Sequence, residues 1–219
     1  GNAPSVLVGD FLYSRAFQMM VDLGSMEVMT ILAHATNVIA EGEVLQLANC
    51  KNPDISHDQY FEVITAKTAK LFEAASHSAA VLSNARARQT DHLQDFGLAL
   101  GIAFQLIDDV LDYVGDASKL GKNIGDDLAE GKPTLPLLYA QDHTSNENRE
   151  LIRTAIRNGG TEQLPKIINA VIASGALDHT TNLAKAYAEE ATAHVAALPD
   201  NEFKEILKAL VCTAIDRNN

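Results

Sequence analysis

The run from Gly101 to Asp112 constrains this chain most. It is apolar and helix-forming apart from Gln105 and three aspartates, Asp108, Asp109 and Asp112. On a helix, Asp108 and Asp112 stand four apart and share a face; Asp109, three before Asp112, flanks it. Like charges at that spacing repel by about a few tenths of a kcal/mol per pair even in water. An apolar helix carrying three of them either turns them to solvent as an acidic stripe or brings a cation to them. Hard carboxylate oxygens on one face suit Mg²⁺, which keeps several waters and is often shared with phosphate groups.

The remainder of the chain is also built for helices. Aromatic residues make up only 5% of it, whereas strands favour aromatic and β-branched side chains. At 219 residues it is long enough for one large domain with a substantial core. The formal charge of −12 argues against nucleic acid, because no basic patch is available to neutralise phosphates. It also disfavours an anionic membrane surface, and an anionic substrate would need local lysines and metal ions against the global field. Two cysteines, Cys50 and Cys212, make no disulfide framework and point to a reducing compartment. No secretory signal and no transmembrane segment of ~20 apolar residues is present, so a soluble, cytoplasmic protein is expected.

Helices are predicted over residues 6–23 and 27–47, parted by Gly24 and Ser25. Their apolar residues nearly encircle the axis, the mark of a helix buried in a core or an interface. Ser56 and Gln59 form a capping box that opens a helix running to Asn84. Thr65 and Thr68 within it are expected to bend it by bonding back to preceding carbonyls. The helix with the aspartates is expected to open at Asp91 and end near Gly115, and residues 115–136 to form an ordered loop rich in Gly, Lys and Asp. Thr144 with Glu147 caps a helix closed at Asn158 and Gly159, and three more follow over 163–173, 178–198 and 202–216. No strand is predicted, so the fold class is all-α in a single domain.

Several segments together resemble the trans-polyprenyl diphosphate synthases. They are Val8–Tyr13, Glu41–Leu47, Val63–Phe72 with Lys67 and Thr68, Phe104–Asp112, and Lys119–Pro136. The likeness runs from Gly1 to the C-terminus and is nearest to the bacterial, octaprenyl-forming branch. It implies an isoprenoid-synthase-type helical bundle and a homodimer built on the first two helices. The implied reaction adds isopentenyl diphosphate to an allylic diphosphate, farnesyl diphosphate or longer, with Mg²⁺, giving octaprenyl diphosphate for a quinone side chain.

The resemblance assigns roles to residues that are otherwise ambiguous. Asp108, Asp109 and Asp112 become ligands or supporting partners of Mg²⁺, with Asp108 counted also as catalytic. Lys67, otherwise a snorkelling surface lysine, meets the allylic diphosphate. Thr68 and Gln105 face the developing cation, and Phe104 lies beside the reacting carbons. Lys122 and Lys132 close over the diphosphate, with Asp126 and Asp127 anchoring them or the outer metal shell. Gln46 reaches Lys67, Glu41 is structural, and Lys70 faces solvent. Seven histidines show no ligand spacing and are read as ordinary.

The family uses two facing Asp-rich motifs, and this sequence has one. The expectation is therefore a C-terminal, partial prenyltransferase domain over 1–219, inactive alone. A non-catalytic partner subunit of a heteromeric prenyl synthase is the alternative, although it would not need Asp108, Asp109, Asp112, Lys67 and Thr68. A terpene cyclase of the same fold is a third reading, to which the Gly-Lys loop is less suited.

Overall fold

The computed structural model describes residues 1–114, 125–159 and 162–216. Among them every regular element is helical and no strand occurs, as expected. A long helix, α5 (Ala87–Val114), forms the axis of the molecule. It is flanked by α4 (Lys70–Leu82) on one side and α10 (Ala176–Ala196) on the other. Helix α2 (Met26–Asn49) lies outside α4, and α1 (Asn2–Asp22) packs on α2. Short helices α3 (His57–Ile64) and α7 (Leu135–Asp142) close one end of α5. Helices α8 (Asn146–Asn158) and α9 (Leu164–Ala173) cover α7, and α11 (Glu202–Ile215) covers α5 and α10.

The core follows α5 along its length. Ile102, Leu106, Ile107 and Leu111 meet Tyr60, Ile64, Leu135 and Leu138 at the end that carries the aspartates. Phe96, Ala99, Leu100 and Ala103 meet Ala188, Ala191 and Val195 at the other. Small residues set how closely the helices approach. A Cβ on Gly101 would fall 2.5 Å from Ala69 Cα, and one on Gly42 would fall 2.7 Å from the Lys67 nitrogen. Glycine at both positions lets α5 and α2 press directly on the backbone around Lys67 and Thr68.

Local signals in the sequence explain most boundaries. The Ser56–Gln59 capping box is formed on both sides. Ser25 caps α2 and Gly159 closes α8 in a left-handed conformation. Four expectations need correction. The cap of α8 is Ser145, whose hydroxyl accepts from Asn148 N–H; Thr144 accepts instead from the Asn148 side chain. Helix α5 opens at Ala87, four residues before Asp91, because the Gln89 side chain accepts the free Arg86 N–H. The described part of the expected loop holds a short helix, α6 (Asp126–Ala129), and α7 begins at Leu135. Pro136 therefore does not break a helix: it sits in a first turn, where its missing N–H costs nothing. The helix after α3 is interrupted, and the interruption is made by the backbone. Residues Thr65–Ala69 form a π-helical turn in which Lys70 N–H reaches back five residues to the Thr65 carbonyl. Thr68 donates its hydroxyl to Gln105, not to the preceding turn.

The first two helices are not buried within the chain. Of α1 only Met20 is buried, while Val6, Leu7, Val8, Phe11, Leu12 and Tyr13 are all more than half exposed. No described helix is long and apolar enough to cross a membrane.

Candidate active site

The π turn, α5, the end of α2 and the α6–α7 segment enclose a cavity of about 230 Å³. Lys67, Thr68, Gln105, Asp108, Asp109 and Lys132 all line it, together with Gln46, Asp127 and Tyr60. The π turn matters here because it rotates Lys67 and Thr68 inward from a helix whose ordinary periodicity continues on both sides.

Two lysines line the cavity, each paired with carboxylates. Lys67 Nζ donates to Gln46 Oε1 at 2.6 Å and pairs with Glu43 at 3.2 Å. Gln46 thus meets Lys67 as expected, and the acidic partner is Glu43, which the sequence reading passed over. Glu41 faces outward, accepting from Asn37 at 2.7 Å. Lys132 Nζ lies 2.7 Å from Glu130 and 3.1 Å from Asp127. Burial opposes its charge, but the bond to Glu130 and the Asp127 charge outweigh it and hold Lys132 above the ordinary lysine range. Asp127 therefore anchors a loop lysine. Lys70 does not face solvent: it is only 20% exposed and pairs with the buried Glu73 at 2.9 Å.

Of the three α5 aspartates, Asp108 and Asp109 line the cavity and Asp112 does not. Asp109 is 2% exposed, with Oδ2 accepting the Tyr60 hydroxyl at 2.6 Å and Oδ1 accepting Gln105 Nε2 at 2.8 Å. Burial, then the Asp127 charge, pushes its carboxyl up to about 8. Asp112 Oδ1 accepts the Asp126 N–H at 3.1 Å, and its Oδ2 is buried without a protein partner. Burial, then Asp127, pushes Asp112 up to about 7. Thr68 Oγ1 donates to Gln105 Oε1 at 2.8 Å, and both residues line the cavity. Phe104 does not line the cavity. It packs on Phe72 of α4 with ring centroids 5.3 Å apart, since one residue's step along α5 turns it about 100° from Gln105. Lys122 falls outside the described residues.

These carboxylates fit a divalent cation. Two are held at raised pKa by burial beside like charge, and one buried oxygen lacks a partner, so each ionised form calls for positive charge. Among the described residues no three such side chains converge on one point by themselves. A hard cation there would complete its shell with water and substrate oxygens, as Mg²⁺ does with phosphates.

Tyr60, like Glu43, has a place here that the sequence did not signal. Its position in the apolar α3 pattern reads as core, and the ring does lie in the core; only the hydroxyl, directed at Asp109, betrays it.

Residues 1–172 match the family model described as polyprenyl synthetase. The chain belongs to the polyprenyl synthetase family. As a family member it is 51% identical over 219 residues to the octaprenyl diphosphate synthase of Escherichia coli K12, covering 100% of this chain and 68% of that protein. It is 48% identical to the octaprenyl diphosphate synthase of Haemophilus influenzae, covering 67% of that protein. A crystal structure of polyprenyl synthase from Caulobacter crescentus CB15, complexed with calcium and isoprenyl diphosphate, superposes with a TM-score of 0.95 at 48% identity. That match covers 100% of this polyprenyl synthetase chain and 67% of the crystallised one. The all-α isoprenoid-synthase fold is thus shared with solved members of the family.

Proposed function

We propose that this protein acts in long-chain trans-prenyl transfer, adding isopentenyl diphosphate units to an allylic diphosphate with Mg²⁺ and making octaprenyl diphosphate for a quinone side chain. One observation carries the reading: a single cavity gathers Lys67 and Lys132 with Asp108, Asp109 and Asp127, and Thr68 and Gln105 line it beside them. That is the arrangement needed to pull a diphosphate off a carbon and to tolerate the cation left behind.

The barrier in such a reaction is charge separation. Unit charges ~4 Å apart attract by about 4 kcal/mol at an effective dielectric near 20. Lys67 and Lys132 aim positive charge at the leaving diphosphate, and Lys122 is expected to join them. Their carboxylate partners Glu43, Glu130 and Asp127 hold the ammonium groups in place before substrate arrives, which is electrostatic preorganisation. Asp108, Asp109 and Asp112 would hold Mg²⁺, which would supply further positive charge for the departing pyrophosphate. Thr68 and Gln105 offer oxygen dipoles to the carbocation and no good nucleophile.

Elongation needs both diphosphates held in register, and with only one of the two Asp-rich motifs that the resemblance implies, we expect negligible transfer from residues 1–219 alone. Incorporation of radiolabelled isopentenyl diphosphate by the protein expressed from its whole gene, with farnesyl diphosphate, Mg²⁺ and product sizing, tests the reading. Long trans-prenyl products are expected. Absence of elongation would favour a non-catalytic partner subunit instead.

A further inference from the structure

The hydrogen bonds around Asp109 run in one direction. Tyr60 donates to Asp109 Oδ2 at 2.6 Å, Gln105 Nε2 donates to Asp109 Oδ1 at 2.8 Å, and Thr68 donates to Gln105 Oε1 at 2.8 Å. All four residues line the same cavity, and they come from α3, the π turn and α5. An amide has two ends, and both Asp109 oxygens act as acceptors here, so it is the N–H end of Gln105 that meets Asp109. With Nε2 held by Asp109, Gln105 has only its carbonyl to offer Thr68. The single Thr68 hydroxyl proton is then occupied, and the lone pairs of Oγ1 are what it presents to the cavity. Were Gln105 turned over, its N–H would meet Thr68 and the hydroxyl proton would point outward, toward any cation formed there.

We propose that Tyr60 is a positioning residue for prenyl transfer: through Asp109 it holds the Gln105 amide in the orientation that turns Thr68 lone pairs, not its proton, toward the allylic cation. The inference rests on the function proposed above. Tyr60 locks the second oxygen of the carboxylate, so Asp109 cannot rotate about its Cβ–Cγ bond and release Gln105. The hydroxyl is separable from the ring. The ring belongs to the core with Ile64 and Leu106 and meets Phe61 edge-on at 5.3 Å, so phenylalanine keeps that packing and removes only the lock.

The test uses the protein expressed from its whole gene, with steady-state kinetics on both diphosphates. Tyr60→Phe should lower kcat about tenfold or more, equivalent to about 1.4 kcal/mol of transition-state stabilisation. Both KM values should stay within about twofold, because Tyr60→Phe leaves Lys67, Lys132 and the Asp109 carboxyl itself in place. Added to Gln105→Met, the same change should cost nothing further, since the residue it acts through is gone. A tyrosine that merely supports the fold would give additive losses and move KM with kcat. Wild-type kcat in Tyr60→Phe, additive losses, or a Tyr60→Phe chain that fails to fold would each overturn the assignment. An active wild type with an indifferent Tyr60→Phe removes the role of Tyr60 alone. A wild type without prenyl transfer removes the functional reading, and this inference with it.

Discussion

The fold opposes the charge of two carboxyls on α5. Asp109 and Asp112 are pushed from the ordinary 3.8 up to about 8 and about 7, in both cases chiefly by burial. In metal-free protein the folded state therefore keeps protons that the unfolded chain has released. That contribution to stability is complete below pH 3.8 and is lost as pH rises through about 7 and 8. Each proton so retained changes the unfolding free energy by about 1.4 kcal/mol per pH unit. With metal chelated, Tm should fall between pH 5 and 8 more steeply than in an Asp109→Asn, Asp112→Asn variant. Equal slopes would show that these carboxyls are not stressed. A second expectation concerns Mg²⁺ with a bisphosphonate: calorimetry should show binding that an Asp108→Ala, Asp112→Ala variant loses. Equal heats in the two proteins would remove the metal assignment.

At the scale of elements, the site depends on how closely α5 and α2 approach the π turn. Gly101 and Gly42 leave no room for a methyl, because the nearest atoms belong to backbone that cannot swing aside. Gly101→Ala should cost about 1–3 kcal/mol or more through overpacking, even though alanine is the better helix former by about 1 kcal/mol. It should also displace Thr68 from Gln105. A denaturant titration showing Gly101→Ala at or above wild-type stability would contradict this packing. The C-terminal end of α10 shows a different device. Lys204 of α11, 8% exposed at its side chain, donates to the Ala196 and Leu198 carbonyls and to Asp200, each at 2.8 Å. It closes a helix whose last carbonyls lack intrahelical partners. Lys204→Met should lower stability by about 1.5–3 kcal/mol, the usual worth of charge-assisted hydrogen bonds. An unchanged Tm would show that water serves those carbonyls equally well.

At the scale of the whole molecule, the exposed row on α1 sets the main expectation. Val6 at 62%, Phe11 at 66% and Leu12 at 60% exposure form a strip that a lone soluble chain seldom tolerates. We expect a homodimer through α1 and α2, burying about 2,000 Å² or more in the manner of obligate pairs. Light scattering at micromolar concentration should give twice the chain mass, and Phe11→Glu with Leu12→Glu should halve it. A monomeric wild type would overturn the expectation.

Much was legible in the residues alone. Periodicity, the Ser56–Gln59 box and the scarcity of aromatic residues are local properties, and they specify helices without reference to distant partners. The shared face of Asp108 and Asp112 likewise follows from 3.6 residues per turn. Tertiary structure decided what local pattern cannot carry. Glu43, two residues from Glu41, became the partner of Lys67 because the crossing of α2 over the π turn selects it. Phe104 turned to Phe72 once Gln105 took the cavity side. Tyr60 and Asp109 are 49 positions apart, and only the packing of α3 against α5 brings a core tyrosine's hydroxyl to a buried carboxylate. A sequence states which side chains share a face of one helix. Which residue of another helix meets that face depends on interhelical distance and rotation, and those are set by the packing of the whole core.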